Sequence, residues 1–176
     1  SWAKTNNTFE GWNTAADGSG QDYASGSTIT LASGGDTTLY AQWKPVKKRI
    51  TYSANGGSGA PAAANVDAGS DYTISATQPT RTGYTFARWD TKSDGSGTDY
   101  DPEGTIANVT TNITIFAEWT ISQYDLTYDK NTPAGQDPTK ITLPATQTED
   151  FNTSITVGSM AETLDAYRFT GWNTEA

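Results

Sequence analysis

Gly83-Tyr84-Thr85-Phe86-Ala87-Arg88-Trp89-Asp90-Thr91 is the key to this chain, because its pattern returns twice. Phe9-Glu10-Gly11-Trp12-Asn13-Thr14 lies near the start, and Tyr167-Arg168-Phe169-Thr170-Gly171-Trp172-Asn173-Thr174 lies near the end. Each copy sets a Phe three residues before a Trp and a Thr two residues after it. Trp12 and Trp89 are 77 residues apart, Trp89 and Trp172 83. A fixed aromatic spacing at such a period is the mark of a tandem array, each repeat one small packed unit. Tyr84 and Phe86 share a face of a strand, but Trp89 has the opposite parity. The strand is therefore either buried on both faces or bulged between Phe and Trp. Gly11 and Gly171 favour the bulge, and Arg88 at the matching place shows that glycine is not obligatory there.

Other segments repeat in step. Asp17-Gly18-Ser19-Gly20 with Tyr23 matches Asp94-Gly95-Ser96-Gly97 with Tyr100, and this is hairpin-turn chemistry. Ile29 and Leu31 have looser counterparts in Ile106 and Val109. Thr38-Leu39-Tyr40-Ala41-Gln42-Trp43 matches Thr114-Ile115-Phe116-Ala117-Glu118-Trp119. Both alternate apolar and polar, as a half-buried antiparallel strand does. The next strand brings Tyr52 nine residues after Trp43 and Tyr128 nine after Trp119. Such short, equal connections are not floppy linkers. The intervening Lys44, Lys47, Lys48 and Arg49 read as charges blunting a strand edge.

Ser75-Ala76-Thr77-Gln78 has capping-box spacing but Pro79 limits any helix to one turn; Ser159-Met160-Ala161-Glu162, extended by Thr163-Leu164-Asp165, predicts a short helix. Tyr52 to Trp89 spans 37 residues and Tyr128 to Trp172 spans 44, which places about seven inserted residues near Gly135–Asp150. The spacing divides the chain into the back part of a repeat (1–43), a complete repeat (44–119) and the front part of a third (120–176). Residues 1–8 resemble nothing else and read as a frayed end or an added strand.

Composition narrows the function. The 176 residues include no Cys and no His. That removes disulfides, thiolate chemistry, the usual neutral-pH base and the commonest metal ligand. A net charge of −9 leaves no basic stripe for nucleic acid, and no apolar run is long enough to span a membrane. Thr (31 residues) and Gly (17) favour strands and turns.

The residues Tyr52–Gly57 (Tyr-x-Ala-Asn-Gly-Gly), Pro79–Trp89 (Pro-Thr-Arg-x-Gly-Tyr-Thr-Phe-x-x-Trp) and Leu39–Trp43 together resemble the Listeria–Bacteroides repeat, seen in the B-repeats of Listeria internalins. The resemblance is strong over 50–119, good over 9–43 and partial over 121–174. The third copy has Glu162–Ala166 in place of Pro-Thr-Arg-x-Gly, and Lys130-Asn131-Thr132-Pro133 in place of Ala-Asn-Gly-Gly. The resemblance implies a small, mainly β unit of β-grasp-like, α+β kind, repeated end to end in secreted or cell-surface proteins as stalk, spacer or weak interaction module. It implies no catalytic residues and no cofactor.

The residues expected to form the core are Phe9, Trp12, Leu39, Trp43, Tyr52, Tyr84, Phe86, Trp89, Ile115, Trp119, Tyr128, Phe169 and Trp172. Burying one such indole contributes up to about 4–6 kcal/mol, which a unit this small needs. Trp2, outside the pattern, is the candidate for an exposed aromatic that grips a glycan or a surface protein. Asp17, Asp22, Asp94 and Asp99 are candidate calcium ligands, set against a plain tight turn. Asn6, Asn108, Asn112 and Asn152 open glycosylation sequons, and Lys92 and Lys130 are candidate isopeptide donors. The expected function is a non-enzymatic spacer segment of a large extracellular or cell-surface protein. Its expected partners are neighbouring repeats, or identical chains completing each other's half-units head to tail into a filament. The alternative is an adhesin module using exposed aromatics.

Overall fold

The computed structural model describes residues 3–31, 35–132, 134–135, 137–160 and 167–174. The chain is almost entirely β. The strands are β1 (Asn7–Asn13), β2 (Asp22–Tyr23), β3 (Tyr40–Pro45), β4 (Lys47–Ser53), β5 (Ala64–Asp67), β6 (Tyr72–Thr73), β7 (Tyr84–Asp90), β8 (Asp99–Tyr100), β9 (Thr105–Ile106), β10 (Ile113–Ile121), β11 (Gln123–Leu126) and β12 (Gln147–Asp150). The helical elements that a β-grasp-like unit would add are not found among the described residues, where Pro138–Lys140 forms a single 3-10 turn. At Ser75 the capping-box spacing yields only a turn: Ser75 Oγ accepts from Thr77 N at 3.1 Å, and Pro79 stops any continuation. Of the one helix expected from the sequence, Ser159 to Asp165, residues 161–165 lie outside the described residues.

Residues 1–81 and 86–119 form one compact unit, and residues 82–85 and 120–176 another. In the first, β2-β1-β3 make a three-stranded sheet and β5-β4-β10-β7-β8 a five-stranded one. The register of β1 against β3 shifts between Phe9 and Gly11, where φ is +154°. This is the bulge expected from the sequence, and it turns Phe and Trp to the same side. In β7 the same result shows as two exposed residues, Ala87 and Arg88, between half-buried Phe86 and buried Trp89. Within β10, Ile115 and Ala117 are buried while Thr114 is exposed, as alternation requires.

The core of this unit is Ile50, Tyr52, Ile74, Trp89, Ile106, Val109, Ile115 and Ala117, with Phe86, Tyr100 and Trp119 packed against it. All of these belong to residues 44–119. Sheet topology explains the family-like motifs around it. Asn55 (φ +47°) and Gly56 (φ +91°) reverse the chain after β4. The next residue, Gly57, lies where a Cβ would come 2.5 Å from Thr80 O and 2.6 Å from the Trp119 ring. Ser58 and Thr80 then exchange backbone hydrogen bonds of 2.8 and 2.9 Å, which joins Asn-Gly-Gly to Pro-Thr-Arg.

In the second unit β11 pairs with β12, Gln123 opposite Asp150. The pair at the matching sequence position in residues 44–119 is Lys47 opposite Asp67. The loop is thus longer by seven residues at the place the sequence assigns to the insertion. Tyr128 also repeats the role of Tyr52: its hydroxyl accepts Gly158 N at 2.7 Å, as that of Tyr52 accepts Ser75 N at 2.8 Å.

Gly57→Ala pushes a methyl group into a backbone carbonyl that cannot retreat. It is expected to lower stability by about 1–3 kcal/mol, read from the urea midpoint of tryptophan fluorescence.

Candidate functional site: aromatic ladders and the loops beneath them

Each of the three Phe-x-x-Trp stretches builds a cluster of rings, the first two as strands and the third without regular structure. Within residues 44–119 four rings connect: Tyr52 meets Trp89 at 5.0 Å, Trp89 meets Phe86 at 5.2 Å, and Phe86 meets Trp119 at 6.0 Å. Trp89 is 0% exposed and Tyr52 7%. The Trp119 indole N–H donates to both Ala54 O and Asn55 O at 3.1 Å, which locks the last ring to the turn after β4. The Trp89 indole nitrogen is buried with no acceptor among the described residues, a cost of about 1–3 kcal/mol that the ring's own burial offsets.

Residues 1–43 and 120–176 hold parts of the same ladder. In the first, Phe9 contacts Trp12 at 5.3 Å and Trp43 at 5.5 Å, and no tyrosine from a β4-type strand stands against Trp12. Trp12 is accordingly 36% exposed and Phe9 37%; Tyr40 and Leu31 are exposed as well. In the third, Tyr128 meets Trp172 at 4.6 Å and Trp172 meets Phe169 at 4.9 Å, with no counterpart of Trp119. The Trp172 indole donates to Gly158 O at 2.6 Å. Leu39, Trp43, Tyr84, Phe86, Trp119, Tyr128, Phe169 and Trp172 are all half-buried. Trp2 lies outside the described residues.

Beside Trp12 and Trp89 sits a hairpin loop, and the side chain that fastens it escaped the sequence reading. Asn13 is 0% exposed; its Oδ1 accepts Ala15 N at 2.7 Å and Gly20 N at 3.0 Å. Asp90, at the same offset, is also buried and accepts Lys92 N at 2.5 Å and Gly97 N at 3.1 Å. The conspicuous Thr does the rest: Thr14 Oγ1 accepts Gln21 N and Thr91 Oγ1 accepts Thr98 N. The sequence signal was a short amide or carboxylate directly after the Trp in every copy. A buried polar group survives only with such partners.

The candidate calcium ligands fall in these loops. Asp17 Oδ1 accepts both Ser19 N (3.0 Å) and Ser19 Oγ (2.6 Å), and Asp94 Oδ1 treats Ser96 alike at 3.1 and 2.8 Å. These hydrogen bonds from Ser19 and Ser96 hold both carboxyls below the ordinary aspartate value. This is the geometry of a capped turn. Asp22 accepts from Asn13 Nδ2 at 2.7 Å. Among the described residues no three His, Cys, Asp or Glu converge as metal ligands.

Asp99 stands where Asp22 does, but its neighbour is Asp90 rather than an asparagine. Desolvation raises the Asp99 carboxyl above its ordinary value, as does the hydrogen bond shared with Asp90, while Arg88 opposes the shift. Arg88 bridges Glu118 at 2.5 Å and Asp99 at 3.1 Å. The hydrogen bond to Glu118, then the Asp99 charge, hold the guanidinium above its usual value. Lys92 Nζ reaches Ser96 Oγ (3.2 Å) and Lys130 Nζ reaches Pro138 O (2.6 Å); each is engaged with its own loop. The sequon residues Asn6, Asn108 and Asn152 all carry positive φ, which explains asparagine there as turn chemistry, and Asn112 Oδ1 accepts Arg49 N.

The family model described as Listeria-Bacteroides repeat domain matches residues 1–42 and 49–118. A protein of Evansella cellulosilytica described as a Gly-rich membrane protein is 31% identical over 97% of this chain and 19% of its own length. A membrane protein of the same organism is 31% identical over 80% of this chain and 20% of its own. Internalin H of Listeria monocytogenes is 35% identical over 54% of this chain and 15% of its own. The chain thus spans a fifth or less of the relatives it matches. No solved structure matches.

Because folding raises the Asp99 pKa, this group stabilises the fold below the ordinary aspartate range, and that contribution fades as pH rises through its folded value. Asp90→Asn rebuilds the Asn13–Asp22 arrangement. It is expected to raise the urea midpoint near pH 7, with the gain shrinking towards about pH 3, in urea melts at both values.

Proposed function

The chain belongs to the Listeria–Bacteroides repeat family, and from that premise we propose that it is a non-enzymatic spacer segment of a larger extracellular or cell-surface protein, its partial repeats closed by neighbouring repeats. The reading rests chiefly on one contrast. The four-ring ladder is complete only in residues 44–119, where Trp89 is fully buried, whereas Trp12 keeps 36% of its surface exposed. The first partial repeat has the Phe, the Trp and the β3 Trp but no tyrosine strand. The third has the tyrosine, the Trp and the Phe but no β10-type strand. Each holds what the other lacks, so a Tyr128-type strand beside β3 would close the ring set over Trp12. A neighbouring repeat in the same polypeptide or an identical chain, joined head to tail, supplies it equally well; the second case is heterologous and open-ended and gives a filament.

Local repetition supports the array. Val46 N donates to Asn6 O while Val46 O accepts Ala68 N; Ser122 N donates to Gly83 O while Ser122 O accepts Phe151 N. The residue joining one repeat's last strand to the next repeat's first is thus held by the same two bonds at both places. The family is a repeat family, and the relatives' printed descriptions, internalin and membrane protein, support a cell-surface setting. In the loops Asp17, Asp90 and Asp94 accept backbone N–H groups of their own turns, Asp22 meets Asn13, and Asp99 and Glu118 meet Arg88, which fits a structural role.

Light scattering separates the two ways of closing the half-units. Mass that rises with concentration, and falls back in Tyr128→Ala, is expected if chains close one another; a strict monomer at all concentrations leaves closure to covalent neighbours. A glycan array tests the reading as a whole. Silence is expected from the wild-type chain, and binding lost in Trp12→Ala or Trp2→Ala would replace the spacer by an adhesin.

A further inference from the structure

We propose that the complete repeat is a force-bearing element, in which β4 and β10 form a shear clamp against tension along the chain. The inference stands on the geometry of residues 44–119 and not on the spacer reading. β4 is the repeat's first strand and β10 its last, yet they lie side by side and parallel, with Ile113, Thr114, Ile115 and Phe116 opposite Ile50, Thr51, Tyr52 and Ser53. Parallel pairing sends the chain in at one end of the pair and out at the other. Tension between residues 47 and 120 therefore runs along the strands. It loads the evenly spaced bonds of a parallel ladder together, instead of opening them one at a time from an end.

Both ends of the ladder are reinforced by side chains. At the entry end Arg49 N donates to Asn112 Oδ1 at 2.9 Å. At the exit end Asn55 Nδ2 donates to Ala117 O at 3.0 Å, and the Trp119 indole donates to Ala54 O and Asn55 O. The grip therefore extends past the paired residues in both directions. Ile50, Tyr52, Ile115 and Ala117 are buried along it, so water cannot readily replace a stretched bond. The chain has no Cys, and these bonds take the place of a covalent staple. The partial repeats lack the device among the described residues: β3 is an edge strand and β11 pairs only with β12.

Single-molecule pulling on the full 176-residue chain tests this, since the absence of native thiols makes introduced handles unique. One variant carries Lys47→Cys with Thr120→Cys and is pulled in shear. The other carries Lys47→Cys with Thr110→Cys, which draws both strands from the same end and peels them. At equal loading rate the first pair is expected to rupture at a force at least about twofold higher, because its bonds fail together. Equal forces, or a weaker 47/120 pair, would overturn the clamp. Asn55→Gly keeps the positive-φ turn but removes the exit-end bonds of the side chain. It is expected to lower the 47/120 force and leave the 47/110 force alone; an unchanged 47/120 force would strike Asn55 from the clamp.

Discussion

The contact of the Tyr52 ring with Trp89, 5.0 Å away in the interior, is the constraint on which the rest depends. The two rings come from opposite ends of a repeat's logic: Tyr52 from the strand that opens it, Trp89 from the Phe-x-x-Trp strand near its middle. Neither strand buries its aromatic alone. A unit of about 75 residues can bury only a small core, and the ring ladder packs there against Ile50, Ile74, Ile106, Val109 and Ile115. That is why the same Trp is sealed at position 89 and partly open at position 12. The difference lies in the neighbours and not in the strand.

Polar positions serve this ladder. The bulge between Phe and Trp turns both rings inward, and the buried Asn13 or Asp90 immediately afterwards ties down the hairpin loop that pairs the Trp with Tyr23 or Tyr100. Asn-Gly-Gly after β4 lets the backbone pass beneath the Trp119 ring, where a methyl group would collide. The residues that make the family recognisable are thus the ones that let large rings approach a tight backbone. This is a structural reason for their spacing that requires no ligand.

Much of this was legible in the sequence because it is local. The Phe-to-Trp bulge followed from parity and Gly11, the Asp-Gly-Ser-Gly hairpins from turn chemistry, the alternation of β10 from period two, and the seven-residue insertion from unequal spacing. What stayed hidden was long-range or set by context. The parallel pairing of β4 with β10 joins segments 63 residues apart in register and leaves no local pattern. The Asn13 and Asp90 fasteners looked like ordinary polar residues until burial made them costly to leave unpaired. At Ser75 the capping spacing yields only a turn, as Pro79 requires, and Ser75 N is claimed by the Tyr52 hydroxyl, a long-range partner that no local pattern shows. The exposure of Trp12 could not be read from its own strand, since it depends on which rings pack against it, here Phe9 but no tyrosine like Tyr52 among the described residues.

Amide hydrogen exchange on the intact chain measures most directly whether an aromatic strand is held by its neighbours. The amides of Trp89, Ile115 and Ala117 are predicted to exchange only through global unfolding, and those of Trp12, Ala41 and Trp43 through far easier local opening. Equal protection of the two sets would contradict the account, because a strand with an open ring cluster would then be as stable as one whose ladder is closed.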